Sequence, residues 1–212
     1  MGTSADIRVF IADDHPIVRE GLRRILESRP GIRVVGEAAT MDEIFERLHD
    51  AEPDVLLLDL SMPGPGFLET LRRLREEAVR VLVVSMYQEG QFGVRAMKAG
   101  AAGYLTKEQS SDELFEAIRR VHAGRKYLSE RLAERLEGEA SEGEGRLHEQ
   151  LSEREFQVMQ MLGEGMTIGG ISHRLSLSPK TVSTYRTRIL RKLGLRTTAD
   201  IVRYAVENDL AP

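Results

Sequence analysis

No cysteine occurs in the 212 residues, so disulfides and thiolate-held metals are excluded. No apolar run approaches the roughly 18 residues that suggest a membrane-spanning helix. The opening MGTSADIRVF lacks the basic start and apolar stretch of a secretory signal, and a cytoplasmic protein is expected. No glycine-rich nucleotide loop, nucleophile elbow or zinc-binding spacing appears. The charge balance leans little, with 30 basic against 34 acidic residues and a net charge of −4, so the chain as a whole suggests no polyanionic partner. The distribution of charge along the chain says more. What is present is ordinary globular composition, 41% apolar and 30% charged, in a chain long enough for one or two domains with real cores.

The first half alternates short apolar runs with amphipathic stretches, the signature of a parallel sheet covered by helices. Ile7 to Ile11 reads as a first strand, and Val34-Val35 begins a second. Val55-Leu56-Leu57-Leu58 and Val81-Leu82-Val83-Val84 are continuous apolar runs, as strands buried on both faces require. Gly103-Tyr104-Leu105-Thr106 is a weaker fifth strand. Between them, Thr40 and Glu43 have the spacing of a capping box, and Phe67, Leu68, Leu71 and Leu74 recur at helical period. Helices carrying Val94 and Met97, and Leu114, Ile118 and Val121, can end at Gly100 and Gly124. Five such units in about 120 residues predict an α/β domain, a flavodoxin-like doubly wound five-stranded parallel sheet, over residues 5–128.

The pattern breaks at residues 129–147. Residues 129–146, SERLAERLEGEASEGEGR, hold six glutamates and three glycines. Its start can extend a helix, but the stretch as a whole reads as a flexible acidic linker. Residues 148–212 then read as an all-α domain. Ser152 and Glu155 have capping-box spacing ahead of Phe156, Met159 and Leu162. Ile168, Ile171 and Leu175 mark a short helix, Ser176-Leu177-Ser178 a turn. Ser178 and Pro179 suit the cap and first position of a longer helix with Val182, Ile189, Leu190 and Leu193 inward. A last helix runs from about Thr198 to Glu207.

Sites in open α/β sheets form at the carboxyl ends of the strands. Asp13 and Asp14 follow the first strand and Asp59 follows the third. Ser85 ends the fourth, and Lys107 follows the fifth. Carboxylates packed together repel one another and are costly to desolvate, and a hard divalent cation such as Mg²⁺ relieves both penalties. A third carboxylate is then available as a nucleophile towards a phosphoryl group. Lys107 would pair with the incoming phosphate, and Ser85 would donate to one of its oxygens. Taken singly, each acid reads equally well as a cap or a solvated group. His15 reads as a polar helix start rather than a metal ligand, because no second histidine is placed to join it. His173 reads as a surface group, and the eight methionines as core filler.

The stretches VFIADDHPIVREGL, DVLLLDLSMPG, VLVVSMY and AGAAGYLTK together resemble the receiver domain of two-component response regulators. The resemblance implies that Asp59 is the phosphoacceptor. It implies that Asp14 and Asp59, with Asp13 through water and the Ser61 carbonyl, hold Mg²⁺. Lys107 would be the family's lysine. Ser85 and Tyr104 would be a switch pair, in which the hydroxyl moves to the phosphate and the ring follows inward. Two departures stand out. The loop Met62-Pro63-Gly64-Pro65-Gly66 is one residue shorter than the common spacing. Glu108 stands where many receivers carry proline.

Residues 179–193, PKTVSTYRTRILRKL, carry Lys180, Arg186, Arg188, Arg191 and Lys192 and no acid. Behind a short helix and a turn, this is a helix-turn-helix candidate whose polar positions suit the major groove. The plain alternative is a solvated basic face on a small bundle. The stretches LSEREFQVMQMLGEG, LSLSPKTVSTYRTRILRKLGL and ADIVRYAVENDL resemble the LuxR-type domain of NarL/FixJ regulators. That resemblance implies base contacts by Ser183, Thr184 and Thr187, and phosphate contacts by Lys180, Thr181, Arg188 and Lys192. It also implies a dimer contact from Ile201, Val202 and Ala205. In that pattern Gly169-Gly170 replace polar helix formers.

The expected function is a phosphorylation-dependent DNA-binding transcriptional regulator. Its expected partners are a sensor histidine kinase, double-stranded promoter DNA, RNA polymerase and a second copy of itself, with no membrane. No enzymatic activity is expected beyond its own phosphoryl transfer and dephosphorylation. Two rivals remain at this level. A docking receiver without a switch rests on the shortened loop. An aspartyl-phosphate hydrolase would want an acid where Ser61 stands and room for a substrate.

Overall fold

The computed structural model describes residues 6–210 except 65, 88, 142–146, 176 and 209. Pro65 of the shortened loop, Ser176 of the turn and part of the expected linker therefore lie outside the described residues. The chain divides into two units, Met1–Glu137 and Gly138–Pro212.

In the first unit five strands alternate with helices: β1 Ile7–Ala12, α1 Pro16–Glu27, β2 Ile32–Ala38, α2 Met41–Ala51, β3 Val55–Leu58, α3 Phe67–Leu74, β4 Arg80–Ser85, α4 Gly90–Ala99, β5 Gly103–Thr106 and α5 Ser111–His122. The strands form one sheet in the order β2-β1-β3-β4-β5, every pair parallel. This is the doubly wound architecture predicted from the sequence. Side chains alternate across the sheet. Val9, Ile11, Val55, Leu57, Leu82, Val84 and Leu105 pack on one face with Leu26 of α1 and Leu114, Phe115, Ile118 and Val121 of α5. Their neighbours Phe10, Leu56, Leu58 and Val83 are equally buried, which explains why β3 and β4 read as unbroken apolar runs.

Caps fix where the helices begin. Thr40 accepts from the Glu43 amide at 3.2 Å, but the Glu43 carboxylate reaches back to the Ala39 amide at 3.0 Å, one residue before the position a reciprocal box requires. Ser110 and Glu113 form a full box at the start of α5.

The start of the acidic stretch, which by its sequence can extend a helix, carries one, α6, over Glu130–Ser141, and residues 142–146 of the expected linker lie outside the described residues. The glutamates obscure its reason for being. Ser129 accepts from the Leu132 amide at 3.1 Å, as an N-cap does, and also bonds to the Glu89 carboxylate. Leu132 is only 1% exposed. It fills a notch left by Gly93 of α4, where a Cβ would stand 3.0 Å from both of its methyl groups.

In the second unit a 3-10 turn at Leu147–Gln150 comes after the end of α6. Four helices follow: α7 Glu153–Gly163, α8 Ile168–Arg174, α9 Pro179–Leu193 and α10 Thr198–Glu207. Phe156, Met159, Ile171, Val182, Ile189, Ile201 and Ala205 are fully buried and form its core. The Ser152–Glu155 box forms as the spacing predicts. Gly169 and Gly170 lie inside α8, whose start is fixed by Thr167 accepting from the Gly170 amide at 3.1 Å. Ser178 caps α9 and Gly194 ends it in the left-handed region. Among the described residues no helix is long and apolar enough to cross a membrane.

Gly103 shows how tightly the sheet edge is closed. A Cβ there would stand 2.8 Å from the Tyr127 carbonyl oxygen and 2.9 Å from Leu82. That carbonyl is held by the Tyr104 amide at 2.9 Å and cannot retreat freely. Gly103→Ala should therefore cost about 1–3 kcal/mol in urea denaturation, as overpacked sites do. Gly138→Ala, in α6 with nothing within 4 Å, should be neutral or stabilising.

Candidate functional site: an acidic pocket and a basic helix

Backbone bonds that continue the ladders place the first set of residues. The Asp13 amide donates to Ala38 O at 3.2 Å, the Asp59 amide to Ala12 O at 2.9 Å and the Lys107 amide to Ser85 O at 2.8 Å. Each residue just past a strand is thus pinned to the strand beside it, and the side chains converge. The Lys107 ammonium lies 2.5 Å from Asp13 Oδ2 and 3.2 Å from Asp59 Oδ2. The side chains of Asp13, Asp59 and Lys107 are 2%, 3% and 11% exposed.

One ammonium does not balance the acids around it. Burial pushes the Asp59 carboxyl up to about 6; Lys107 opposes the rise, and the negative charges of Asp13 and Asp14 add to it. Asp59 Oδ1 is buried without a hydrogen-bond partner. Ligand atoms of Asp13, Asp14, His15 and Asp59 lie within 4.8 Å of one another. Surplus negative charge, hard oxygen donors and an unsatisfied buried oxygen fit a divalent cation. Ser61 is half-buried in the turn that leaves β3, two residues beyond Asp59. The loop that follows is anchored by the Met41 amide donating to Pro63 O at 2.9 Å. In this loop Gly64 adopts φ +119°, a conformation that other residues rarely reach.

Ser85 and Tyr104 are both fully buried. The Tyr104 hydroxyl donates to Tyr87 O at 2.9 Å, and the Tyr87 amide donates to Ser85 Oγ at 3.1 Å. Burial raises the phenol well above its ordinary pKa. In this structure the ring is inside, with its hydroxyl satisfied by the Tyr87 carbonyl. Tyr87 in turn packs against Phe92 of α4, with ring centroids 4.5 Å apart.

In the second unit, Lys180, Ser183, Thr184, Thr187, Arg188 and Arg191 are exposed on α9, while Thr181 is half-buried. They recur at three and four residues and so share one face. Thr184 and Thr187 donate to the carbonyls of Lys180 and Ser183, both at 3.0 Å, which fixes their rotors and leaves lone pairs outward. The Thr181 hydroxyl shares a 2.8 Å bond with Ser178 Oγ at the cap.

Lys192, expected to meet phosphate, is engaged elsewhere. Its ammonium lies 2.6 Å from Glu155 Oε2 and donates to Gln150 O at 3.1 Å. Glu155 is 3% exposed and also accepts from the Ser152 amide. Burial alone would raise its carboxyl, but the bonds from Lys192 and Ser152 outweigh burial and hold it below its ordinary value. Arg186 likewise points at α10, bonding Thr198 Oγ1 at 2.6 Å. Ile201 and Ala205 are buried within this unit, so on α10 only Val202 of the three expected dimer residues stays partly accessible. The capping-box spacing marked Glu155, but nothing in the sequence revealed its partner 37 residues on.

Residues 9–119 match the family described as response regulator receiver domain, and residues 149–205 match bacterial regulatory proteins of the luxR family. The chain is 38% identical over 208 residues to the response regulator GacA of Pseudomonas aeruginosa, covering 96% of this chain and 97% of that protein. It is 37% identical over 211 residues to the response regulator UvrY of Escherichia coli K12, covering 96% and 95%. Among solved structures, the response regulator RcsB in complex with DNA is similar with a TM-score of 0.58 and 26% identity, covering 95% of this chain and 98% of that one.

Removing one partner of a buried charged pair leaves the other uncompensated. Lys192→Met should cost the helical unit about 1–3 kcal/mol in urea denaturation near neutral pH. A carboxylate with a lowered pKa contributes its stability above its ordinary value and loses it as pH falls through the lowered one. The difference from the unaltered protein should therefore shrink below pH 4.5, the ordinary value for Glu155.

Proposed function

We propose, for a chain that belongs to the two-component response regulators with a receiver domain and a LuxR-type DNA-binding domain, that a sensor histidine kinase delivers its phosphoryl group to Asp59 and thereby switches DNA binding. The observation that carries this reading is the Lys107 ammonium shared between buried Asp13 and Asp59, with Asp59 Oδ1 left without a partner.

An Asp59 carboxylate oxygen attacks phosphorus, a P–O bond forms, and the P–N bond to the kinase imidazole breaks with the imidazole leaving. Asp13, Asp14, Asp59 and the Ser61 carbonyl would hold Mg²⁺, which when bound offsets the charge of the carboxylates and of the transferred group. Lys107 orients the phosphoryl oxygens as a point charge. The receiver assists only this transfer and the later attack of water on phosphorus, which breaks the Asp59 P–O bond, restores the carboxylate and releases inorganic phosphate.

Ser85 Oγ then turns to donate to the phosphoryl group and releases the Tyr87 amide. Tyr87 also holds Tyr104 and packs on Phe92, so the start of α4 must adjust. Glu89, at that start, bonds the cap of α6, and Leu132 sits against Gly93, so α6 feels the change. Phosphorylation need only favour the competent state.

On the DNA side, α9 enters the major groove of promoter DNA. Ser183, Thr184 and Thr187 face bases, and Lys180, Thr181 and Arg188 meet phosphates. Lys192 supports binding by fixing α9 on Glu155. Two copies bind two half-sites in the cytoplasm and present the promoter to RNA polymerase.

Asp59→Asn should take up no phosphoryl group from acetyl phosphate; uptake at the unaltered yield contradicts the assignment. Beryllofluoride with Mg²⁺ should tighten promoter binding in the intact protein, and equal affinity with and without it removes the switch. Arg188→Ala should leave stability unchanged and lower the slope of log affinity against log salt by about 1. An unchanged slope would take Arg188 off the phosphate backbone.

A further inference from the structure

His15 precedes α1 at the position where a side chain normally caps the helix, yet it makes no side-chain cap hydrogen bond. Its ring turns to the acidic pocket instead. Nδ1 lies 2.8 Å from Asp14 Oδ1 and 3.2 Å from Asp13 Oδ1. Metal bonds of 2.0–2.2 Å at right angles separate neighbouring ligand atoms by about 3 Å. The two spacings to His15 are hydrogen-bond distances, and they also match the edge between adjacent corners of one octahedral coordination sphere. Lys107 engages Oδ2 of both Asp13 and Asp59, which leaves the Oδ1 atoms on the side that His15 faces. Asp59 Oδ1, on a side chain only 3% exposed, has no hydrogen-bond partner. The ligand atoms span at most 4.8 Å, against about 4.2 Å across an octahedral site, so a contraction of about half an ångström closes the set. The His15 side chain is 63% exposed, which leaves the pocket a mouth.

We propose that His15 is a further metal ligand of the acidic pocket, so that the site takes a nitrogen-preferring divalent transition metal more tightly than its oxygens alone would. The inference rests on the reading that the pocket holds a divalent cation. Imidazole suits nickel, cobalt and zinc, whereas carboxylate and carbonyl oxygens suit magnesium, and affinity along the first-row series rises towards nickel and copper. Mg²⁺ takes the oxygens and leaves the ring outside; Ni²⁺ draws it in.

The test is calorimetric titration of the untagged full chain with Mg²⁺ and with Ni²⁺, for the unaltered protein, His15→Ala and Asp14→Asn. His15→Ala should weaken Ni²⁺ by about tenfold or more and leave Mg²⁺ within about twofold. Asp14→Asn should weaken both, which excludes Ni²⁺ bound at the other histidines. With one equivalent of Cu²⁺, a nitrogen-preferring and paramagnetic ion, pulsed electron paramagnetic resonance should detect a coordinated ring nitrogen in the unaltered protein and lose that signal in His15→Ala. If both metals bind and neither notices His15→Ala, the inference fails while the cation pocket stands. If neither metal binds the unaltered protein, both fail.

Discussion

A single ammonium shared between two buried carboxylates is the constraint around which the first unit is organised. Lys107 touches Asp13 and Asp59, and Asp14 stands close by. A folded domain rarely leaves acids that far from neutrality without a further cation or a chemical use for the charge. The sheet makes the concentration of charge affordable, because parallel order brings the ends of β1, β3 and β5 to one edge. A carboxyl pushed up by burial, with one oxygen unsatisfied, is poised for a group that brings its own countercharge.

The same edge ties the pocket to the rest of its unit. Ser85 and Tyr104 meet at Tyr87, Tyr87 packs on α4, and α4 with its N-cap Glu89 carries a polar and an apolar contact to the start of α6. These are discrete, interlocking contacts, and closely packed interiors pass such displacements on. In the second unit the exposed residues of α9 rest on the opposite face of the same helix. There Val182 and Ile189 pack inward, and Lys192 closes on Glu155. The surface that would meet DNA therefore rests on a small apolar core and on half-buried Lys192 closing on buried Glu155.

Much of this was legible from residues alone. Continuous apolar runs betrayed β3 and β4 because both faces of a parallel sheet are covered. Acids placed directly after such runs betrayed the pocket, since only topology is needed to bring strand ends together. What escaped was whatever depends on a partner distant in sequence. Leu132 lies among glutamates and reads as linker until Gly93 is seen opposite it. Lys192 looks like one more basic group on α9, and only its distance to Glu155 shows that it faces inward. No pattern along the chain encodes the hydrogen bond from the Tyr104 hydroxyl to the Tyr87 carbonyl. His15 stands at the helix start, as its place in the sequence implies, and only the structure shows its Nδ1 lying 2.8 Å from Asp14 Oδ1.

The unbalanced carboxylate at the end of β3 is the group proposed to accept phosphate. The most direct measurement is borohydride trapping after treatment with acetyl phosphate and Mg²⁺. Borohydride reduces an acyl phosphate to an alcohol, and mass spectrometry of the peptides then locates the change. Reduction is expected at residue 59 alone; reduction at Asp13 or Asp14, or at no residue, would rule that assignment out.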